Sequence, residues 1–302
     1  MSPVSDAPFV SVVVPVWNDH TRLRQLLDSL MNQSYPASRR EIIVVDNRST
    51  DGSDIVAKTF AVRVLTESSV QSSYAARNRG IEAAKGSILA FTDSDCIPVQ
   101  EWLGSGVRAL NEQDADLAGG RVRFFFSHNV TGAELFDSVS NMQIERYISD
   151  GVAITANLFA RAEVFEQIGL FPGDVQSGGD LAWTGRASRS GYRLIYAPDA
   201  EVAHPARRLP ALVRKQYRVG KGQIAIRTDQ MRRPRKVLNQ AVGTVLRTQT
   251  PGELRDRLEA RGDHIGGSRL VRMWCACVTA TVATAAGNLA YLTDAAKLRS
   301  SA

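Results

Sequence analysis

The sequence predicts an α/β fold in which a mostly parallel, doubly wound sheet is covered by helices on both faces. Two observations carry this prediction. Short apolar runs alternate with helical patterns between residues 9 and 95, with short loops between them. That alternation is typical of βαβ units and a parallel sheet. The apolar runs are also rich in β-branched residues and lack polar alternation, as expected for strands buried on both faces.

The first half of the chain contains four predicted strands and three predicted helices. The strands are runs of β-branched and other apolar residues at residues 9–16, 40–46, 62–65 and 88–91. The helices are predicted at residues 23–31, where apolar residues recur at helical spacing, at residues 55–60, after a turn with cap-type residues, and at residues 73–84, before Gly86. Polar residues follow the first, second and fourth strands, and ligands of open α/β sheets bind at the carboxyl ends of strands.

The sequence of the second half of the chain predicts shorter and less regular strands and helices. Strands are expected at residues 115–126, 154–159, 194–196 and 201–203. Helices are expected at residues 102–110, 131–147, 162–168 and 181–189. A Gly-rich loop leads to Asp180 at the start of the last of these helices, and the last strand ends in His204 before a proline.

Two carboxylates, Asp93 and Asp95, follow the fourth strand with only Ser94 between them. They repel each other unless a cation lies nearby. A hard cation prefers oxygen ligands and often brings substrate phosphates with it. The chain has neither a G-x-G-x-x-G nor a P-loop pattern, so a diphosphate must be neutralised in another way. These residues therefore predict a metal–diphosphate site, with an ordinary polar turn as the alternative.

Length and composition indicate a globular protein with one large domain, or one domain with an appendage. The chain has 302 residues, of which 44% are hydrophobic. Its three cysteines have no disulfide-framework spacing, which favours reduced thiols in the cytoplasm. The N-terminal residues show no signal-peptide pattern.

Positive charge is concentrated in one segment, the basic block of residues 207–236. It carries eleven Lys and Arg against one acid, in a chain of net charge +6. This asymmetry indicates an anionic partner, such as phospholipid, a lipid diphosphate or nucleic acid. A solvated helix face is the alternative.

Residues 273–292 contain no charged residue. Their length suffices to span a bilayer, although the stretch is rich in Ala and Thr. Three interpretations remain open: a transmembrane span, a helix lying in the membrane interface, or a helix packed on the protein or on a second copy of the chain.

Five segments in order resemble a family-2 glycosyltransferase with the GT-A fold. They are the opening strand and turn at residues 12–18, the second strand end at 41–53, the Arg-Asn helix at 76–80, the D-x-D motif at 93–95, and Asp180. The resemblance covers residues 9–222. It implies a catalytic domain over residues 1–222, with a nucleotide-binding half at about 9–98 and an acceptor half at about 99–222. Residues 223–302 would then form a basic linker and a helical extension.

The resemblance implies a nucleoside-diphosphate sugar donor, with a uridine diphosphate sugar favoured, and a divalent cation, Mn²⁺ or Mg²⁺. Asp95 would be the direct metal ligand, Asp93 would hold the ribose or a metal-bound water, and His204 would be a third ligand. Asp46 would read the base, although it could instead cap a turn. The full set implied for donor binding is Pro15, Val16, Trp17, Asn18, Asp46, Arg48, Arg77, Asp93, Ser94 and Asp95.

Asp180 is the candidate general base, since a carboxylate can take the acceptor hydroxyl proton in an inverting displacement. It could also cap the helix that follows. Asn157, Gly179 and Trp183 are the candidates on the acceptor side, with a core position favoured for Trp183 over a sugar-stacking role.

Two departures from the family pattern stand out. Gly179 replaces the usual Glu before the base, and Asn47 replaces a usual Asp. The Q-x-x-R-W signature of processive members is missing, because residues 216–220 lack the Trp. Transfer of a single sugar is therefore favoured over polymerisation.

The predicted function is inverting, metal-dependent transfer of one sugar to a hydroxyl acceptor, either lipid-linked or saccharide, in surface polysaccharide or glycolipid synthesis. The predicted location is the cytoplasm, at the cytoplasmic face of the membrane. One rival is a sugar-phosphate nucleotidyltransferase, which the absence of Gly after the first strand disfavours. The other is a non-catalytic nucleotide- or nucleic-acid-binding protein, although no nucleic-acid partner is expected.

Overall fold

A computed structural model describes residues 7–226 and 233–300 of the chain. The chain divides into two compact units. The first comprises Met1–Arg123, Gln143–Asp174 and Gly179–His204. The second comprises Phe124–Met142, Val175–Gly178 and Pro205–Ala302. This division differs from the predicted boundary at residue 222. Residues 227–232, which include part of the basic block and of the predicted linker, lie outside the described residues.

One sheet organises the first unit. Its strands are β1 (Val10–Val16), β2 (Arg40–Asp46), β3 (Arg63–Thr66), β4 (Ile88–Thr92), β5 (Ile97–Pro98), β6 (Leu117–Phe125), β7 (Asn157–Arg161) and β8 (Leu194–Pro205). The strand order among the described residues is β3-β2-β1-β4-β7-β6-β8-β5. The central strand β1 is buried along its whole length, as its β-branched sequence predicts.

The sheet is parallel in its first half and antiparallel in its second. Strands β3, β2, β1 and β4 run parallel, so that Val13 lies between Ile43 and Phe91. Strand β7 then pairs antiparallel with β4, and β6 pairs antiparallel with β7. The carboxyl ends of β1, β2 and β4 consequently meet at one edge, where the polar turns lie.

Helices α1 (His20–Met31), α2 (Ser53–Lys58) and α3 (Ser73–Ala83) connect the parallel strands, as predicted. The first unit also contains α4 (Trp102–Glu112), α6 (Ile144–Ser149), α7 (Ala162–Ile168) and α8 (Gly179–Arg189), while α5 (Gly132–Ser140) belongs to the second unit. The helix predicted over residues 131–147 is thus two helices. Its break falls at Met142, whose positive φ of 52° interrupts helical backbone geometry.

A helical bundle forms the second unit. It combines α5 with α9 (Leu209–Ala225), α10 (Pro234–Leu246), α11 (Pro251–Glu259) and α12 (Gly267–Ser300). Buried residues from α5, α9, α11 and α12 share one apolar core, with Phe136, Leu212, Leu254, Leu258 and Met273 among them. Thr131 caps α5 through a capping box with Glu134, and Thr250 caps α11 in the same way with Glu253.

Helices α9 and α12 cross with their backbones in contact. A Cβ added to Gly220 would lie 2.0 Å from the carbonyl oxygen of Thr284. One added to Gly287 would lie 2.0 Å from the carbonyl oxygen of Tyr217. Only glycine permits this approach, and the crossing explains why α9 belongs to the same unit as the C-terminal helices.

Helix α12 contains the uncharged stretch of residues 273–292. Among the described residues it is the one helix whose length and composition would allow it to cross a membrane, over Gly267–Asp294. However, 44% of its most apolar window is buried inside the protein. Its Ala, Gly and Thr residues are those that close helix packing requires, so packing within the second unit accounts for much of its composition.

Candidate active site

The turns that follow β1 and β2 are joined by hydrogen bonds. The Asn18 side-chain oxygen accepts from the Thr50 backbone N–H at 2.7 Å, and the Asn18 N–H donates to Ser49 Oγ at 3.0 Å. The Asp19 N–H donates to Ser53 Oγ at 3.1 Å. Asn18 adopts a positive φ of 50°, which Asn tolerates better than most residues. The two turns therefore form a single ledge at the carboxyl edge of the sheet.

Asp46 and its neighbours hold the β2 turn. Asp46 is buried, and its Oδ2 accepts from the Ser49 backbone N–H at 3.1 Å. The Asn47 amide donates to the carbonyls of Glu67 and Val70, both at 2.9 Å. The carboxylate of Asp46 thus has a turn-capping role in the structure, and base recognition by Asp46 stays a prediction.

The remaining predicted donor-binding residues of these turns differ in their exposure. Pro15 and Val16 are buried at the end of β1. Trp17, the next residue, is 59% exposed, so its ring is open to a ligand. Arg48 has a positive φ of 64°, and its Nε donates to the Gln71 side-chain oxygen at 3.1 Å.

Asp93 is paired with a buried arginine. The side chain of Arg77, on α3, is almost fully buried, and its Nη2 contacts Asp93 Oδ1. A buried guanidinium needs such a partner, because leaving its charge unpaired away from water is costly. Between the two acids, Ser94 Oγ donates to Asp19 Oδ2 at 3.1 Å. Arg77 therefore fixes the first acid of the motif, and the ledge at β1 supports the residue between them.

Asp95 and His204 lie together, as their predicted roles require. His204 Nε2 is 3.4 Å from Asp95 Oδ2, and the His204 side chain is fully buried. Antiparallel pairing of β5 with β8 brings them together, since Ile97 lies opposite Ala203. Arg22 Nη1 lies 3.9 Å from the same Asp95 oxygen and adds a positive charge at the site.

The side chains of Asp95 and His204 suit a divalent cation whose remaining ligands come from a substrate. A carboxylate oxygen and an imidazole nitrogen are both ordinary metal ligands. The residues that the structure describes contain no group of three or more His, Cys, Asp or Glu side chains that could hold a metal ion. Two protein ligands are enough where phosphate oxygens and waters supply the others.

Asp180 lies in the first turn of α8 and is held by four hydrogen bonds. Its Oδ1 accepts from the Tyr74 hydroxyl and from the Leu181 backbone N–H, both at 2.9 Å. Its Oδ2 accepts from the Thr155 N–H at 3.1 Å and from the Thr155 hydroxyl at 3.3 Å. Only 8% of Asp180 is exposed. The carboxylate is thus buried with its hydrogen bonds satisfied, which is more than a helix cap requires.

Two comparisons decide the family of this chain. The family model "Glycosyl transferase family 2" matches residues 11–169, which is more than half of the chain. Glycosyltransferase AglE of Haloferax volcanii is 40% identical over 296 residues, covering 95% of this chain and 97% of that protein. The chain belongs to glycosyltransferase family 2.

Solved structures show that this family-2 glycosyltransferase has the GT-A fold. Mannosyltransferase PcManGT from Pyrobaculum calidifontis, in complex with GDP-Man and Mn²⁺, matches with a TM-score of 0.61 at 19% identity, covering 99% of this chain and 80% of that one. Residues 1–349 of TarS from S. aureus, in complex with UDP-GlcNAc, match with a TM-score of 0.56 at 17% identity, covering 92% and 90%. The predicted fold and enzyme class are confirmed, and the nucleotidyltransferase alternative is set aside.

The acceptor-side candidates of the glycosyltransferase lie in its interior. Trp183 is fully buried and stacks on Phe165, with ring centroids 4.0 Å apart. Asn157 is also fully buried, donates to the carbonyls of Arg121 and Ala200, and accepts from the Trp102 indole. Trp183 is therefore a core residue, and an acceptor role for Asn157 stays a prediction that its buried position does not support. Gly179 lies directly before Asp180.

Sequence reasoning missed Tyr74 and Arg22. Burial, and next the negative charge of Asp180, raise the pKa of Tyr74 well above its usual value, so its hydroxyl stays protonated and donates. Tyr74 lies three residues before Arg77 on α3, and residues at that spacing share a helix face. That spacing was the available signal. Arg22 lies on α1 one turn after the β1 ledge, where nothing in the sequence indicated proximity to Asp95.

Proposed function

We propose that this glycosyltransferase transfers a single sugar, with inversion, from a nucleoside-diphosphate sugar to a hydroxyl acceptor in a reaction that needs a divalent cation. The observation that carries the proposal is the Asp95–His204 pair at the carboxyl edge of the sheet, in a unit that also holds the buried carboxylate of Asp180. The structural neighbours in complex with GDP-Man and Mn²⁺ and with UDP-GlcNAc support a nucleotide-sugar donor and a cation.

Asp95 and His204 would hold the cation, which would neutralise the charge developing on the diphosphate leaving group. Asp93, kept in place by Arg77, would orient the donor beside them. Arg22 lies 3.9 Å from Asp95 and adds positive charge where a diphosphate would bind. The exposed ring of Trp17 would offer a flat surface to the nucleotide, for which a uridine diphosphate sugar remains favoured.

Asp180 would act on the acceptor. As the new bond forms at the sugar C1, the acceptor O–H bond breaks and its proton passes to a carboxylate oxygen of Asp180. The electron pair of the broken C1–O bond leaves with the diphosphate. A buried carboxylate that four hydrogen bonds hold in place is suited to this task, because water does not compete for it.

A donor screen tests this proposal. The full-length enzyme would be incubated with UDP-GlcNAc, UDP-glucose and GDP-mannose, with Mn²⁺, with Mg²⁺ or with excess EDTA, and nucleotide release would be measured. We expect release from at least one donor with metal, and a loss of at least ~10²-fold in EDTA that added Mn²⁺ or Mg²⁺ restores. Full activity in EDTA would contradict the metal role, and NMR of the product anomer would test inversion.

We further propose that the enzyme binds peripherally to an anionic membrane, where it would reach a lipid-linked acceptor. Helix α10 buries Val237 and Ala241 against the second unit. Its outer face presents a run of exposed apolar residues at helical spacing: Leu238, Val242, Val245 and Leu246, the last 80% exposed. Exposed cationic residues lie at both ends of the helix: Arg233, Arg235, Lys236 and Arg247. An apolar stripe flanked by basic residues is the pattern of an interfacial helix.

Co-sedimentation with liposomes tests the membrane proposal. Because Met273 and Cys277 of α12 lie in the core of the second unit, truncation before α12 would expose that core, and substitutions on α10 are the sharper test. We expect the wild type to pellet with phosphatidylglycerol vesicles at low salt and less at high salt. The triple variant Leu238→Ser, Val242→Ser, Leu246→Ser should stay in the supernatant.

Ile55→Ser is the matched control, since Ile55 is an equally exposed apolar residue of the first unit. It should pellet as the wild type does. If the wild type itself stays in the supernatant, the membrane proposal fails. Light scattering would then show whether the α10 face is covered by a second copy of the chain.

A further inference from the structure

Helix α3 contacts both the D-x-D motif and the candidate base. Tyr74 and Arg77 lie one turn apart on α3, and each contacts one acid of the candidate site. Arg77 contacts Asp93, and the Tyr74 hydroxyl donates to Asp180 Oδ1 at 2.9 Å. The Arg77 guanidinium carbon also lies 5.5 Å from the centre of the Tyr74 ring, a cation–π distance. Arg77, a predicted donor-binding residue, therefore contacts the Tyr74 ring, and the hydroxyl of the same ring contacts Asp180.

The chain leaves room for this ring at the residue before the base. A Cβ added to Gly179 would lie 2.9–3.0 Å from three atoms of the Tyr74 ring, closer than real Cβ contacts allow. A side chain at position 179 would therefore require the Tyr74 ring or the backbone beside it to shift. The glycine at this position, where the family pattern usually has Glu, thus matches the space that Tyr74 requires.

We propose that Tyr74 is a positioning residue for Asp180, an inference that rests on the proposed role of Asp180 as the base. The Tyr74 hydroxyl and the Leu181 N–H hold Oδ1 in place, and the Thr155 N–H holds Oδ2. The Thr155 hydroxyl makes the longest of the four bonds, at 3.3 Å. An acceptor hydroxyl would replace that bond and pass its proton to Oδ2, while the other three donors keep the carboxylate oriented.

Tyr74→Phe removes the hydroxyl and keeps the ring that fills the space beside Gly179. We expect kcat to fall about 10-fold, the scale of one lost hydrogen bond to a charged group. The KM for the donor should stay within twofold, because the removed hydroxyl bonds to Asp180, whereas the donor-binding residue Arg77 contacts the ring, which the variant keeps.

The pH dependence of kcat offers a readout that a packing role would not move. With one donor to its charged form removed, the carboxylate should require a higher pH to stay ionised, so the acid limb of the profile should shift upward. The groups facing Asp180 are Tyr74, which is neutral, and Thr155, which does not titrate. The charged groups next to Tyr74 on this side are Arg77, which lies over its ring, and the Arg77 partner Asp93, and the substitution alters neither.

Tyr35→Phe is the matched control. Tyr35 is also buried, and its hydroxyl donates to the Pro8 carbonyl at 2.5 Å, so this variant loses the same kind of bond elsewhere in the first unit. It should keep the wild-type kcat and pH profile. A Tyr74→Phe enzyme with wild-type kcat and acid limb would overturn the inference. If Asp180→Asn is also fully active, the proposed base fails as well; if Asp180→Asn is inactive, only the role of Tyr74 is wrong.

Discussion

Asp95→Ala is expected to abolish both donor hydrolysis and sugar transfer, by on the order of 10³-fold or more. The Asp95 carboxylate lies 3.4 Å from the His204 imidazole and 3.9 Å from the Arg22 guanidinium, so it is the common partner of these two side chains. Without it, a divalent cation loses a charged ligand. About 4 kcal/mol of lost stabilisation of the leaving diphosphate corresponds to a 10³-fold rate effect. Reaction rates would be measured at saturating Mn²⁺, and the affinity of each variant for Mn²⁺ would be measured by calorimetry.

Two further variants make this result interpretable. Asp95→Asn keeps the shape and a hydrogen-bonding oxygen beside His204 but removes the charge, so it should lose nearly as much activity as Asp95→Ala. Asp54→Ala removes an exposed carboxylate that pairs with Lys58 on α2, and it should leave activity unchanged. An Asp95→Ala enzyme with more than a tenth of wild-type activity would contradict the metal site, provided that its circular dichroism matches that of the wild type.

Asp180→Asn is expected to lower transfer by ~10²-fold or more, which is the scale of general-base effects. The amide has the size of the carboxylate and keeps one oxygen for the Tyr74 hydroxyl, but it cannot accept a proton from the acceptor. Donor binding should change little, because none of the hydrogen bonds of Asp180 involves a predicted donor-binding residue. Single-turnover transfer and donor affinity, measured on the same preparation, would separate the two effects.

The loop before α8 supplies the control for this substitution. Asp174→Asn makes the same chemical change at an exposed position six residues earlier, and it should transfer sugar at the wild-type rate. If Asp180→Asn stays within a few-fold of wild type, Asp180 serves α8 and its neighbours structurally, and another group must take the acceptor proton.

Local patterns sufficed for the first half of the sheet. The β-branched runs that become β1 and β2 are buried on both faces, and burial of that kind leaves a continuous apolar sequence that is readable without a structure. Helix α1 likewise has its buried leucines at helical spacing, because one face of the helix packs on the protein interior. The D-x-D motif could be placed at a strand end because the strand before it was clear.

The second half was less readable because its elements depend on partners distant in the sequence. Residues 194–196 and 201–203 were predicted as two strands, yet they form the single strand β8. The proline and acid between them read as a break, but pairing within the sheet keeps the strand continuous. Likewise, the helical pattern of residues 131–147 gave no sign of the positive φ at Met142 that divides α5 from α6.

The site shows the same difference. Five candidate side chains could be selected from the sequence, because each lies at a strand or helix end and matches a family motif: Asp46, Asp93, Asp95, Asp180 and His204. The hydrogen-bond partners of these side chains could not be predicted from the sequence. Tyr74, for example, is separated from Asp180 by 106 residues, and only folding brings the two together. The burial of Asn157 was equally hard to predict, because a polar side chain on a strand suits an interior and a binding surface alike, whereas a core position was already favoured for Trp183.

By itself, the sequence determined the α/β class and the family, and it selected the acids proposed for the chemistry, since these follow from local periodicity and short motifs. The tertiary structure decided which groups contact those acids and how the C-terminal helix packs. For α12, composition left a membrane helix and a packed helix both open, because both are apolar. The backbone contacts at Gly220 and Gly287 show that α12 packs against α9, since small residues permit a close approach that no sequence pattern assigns to a particular partner.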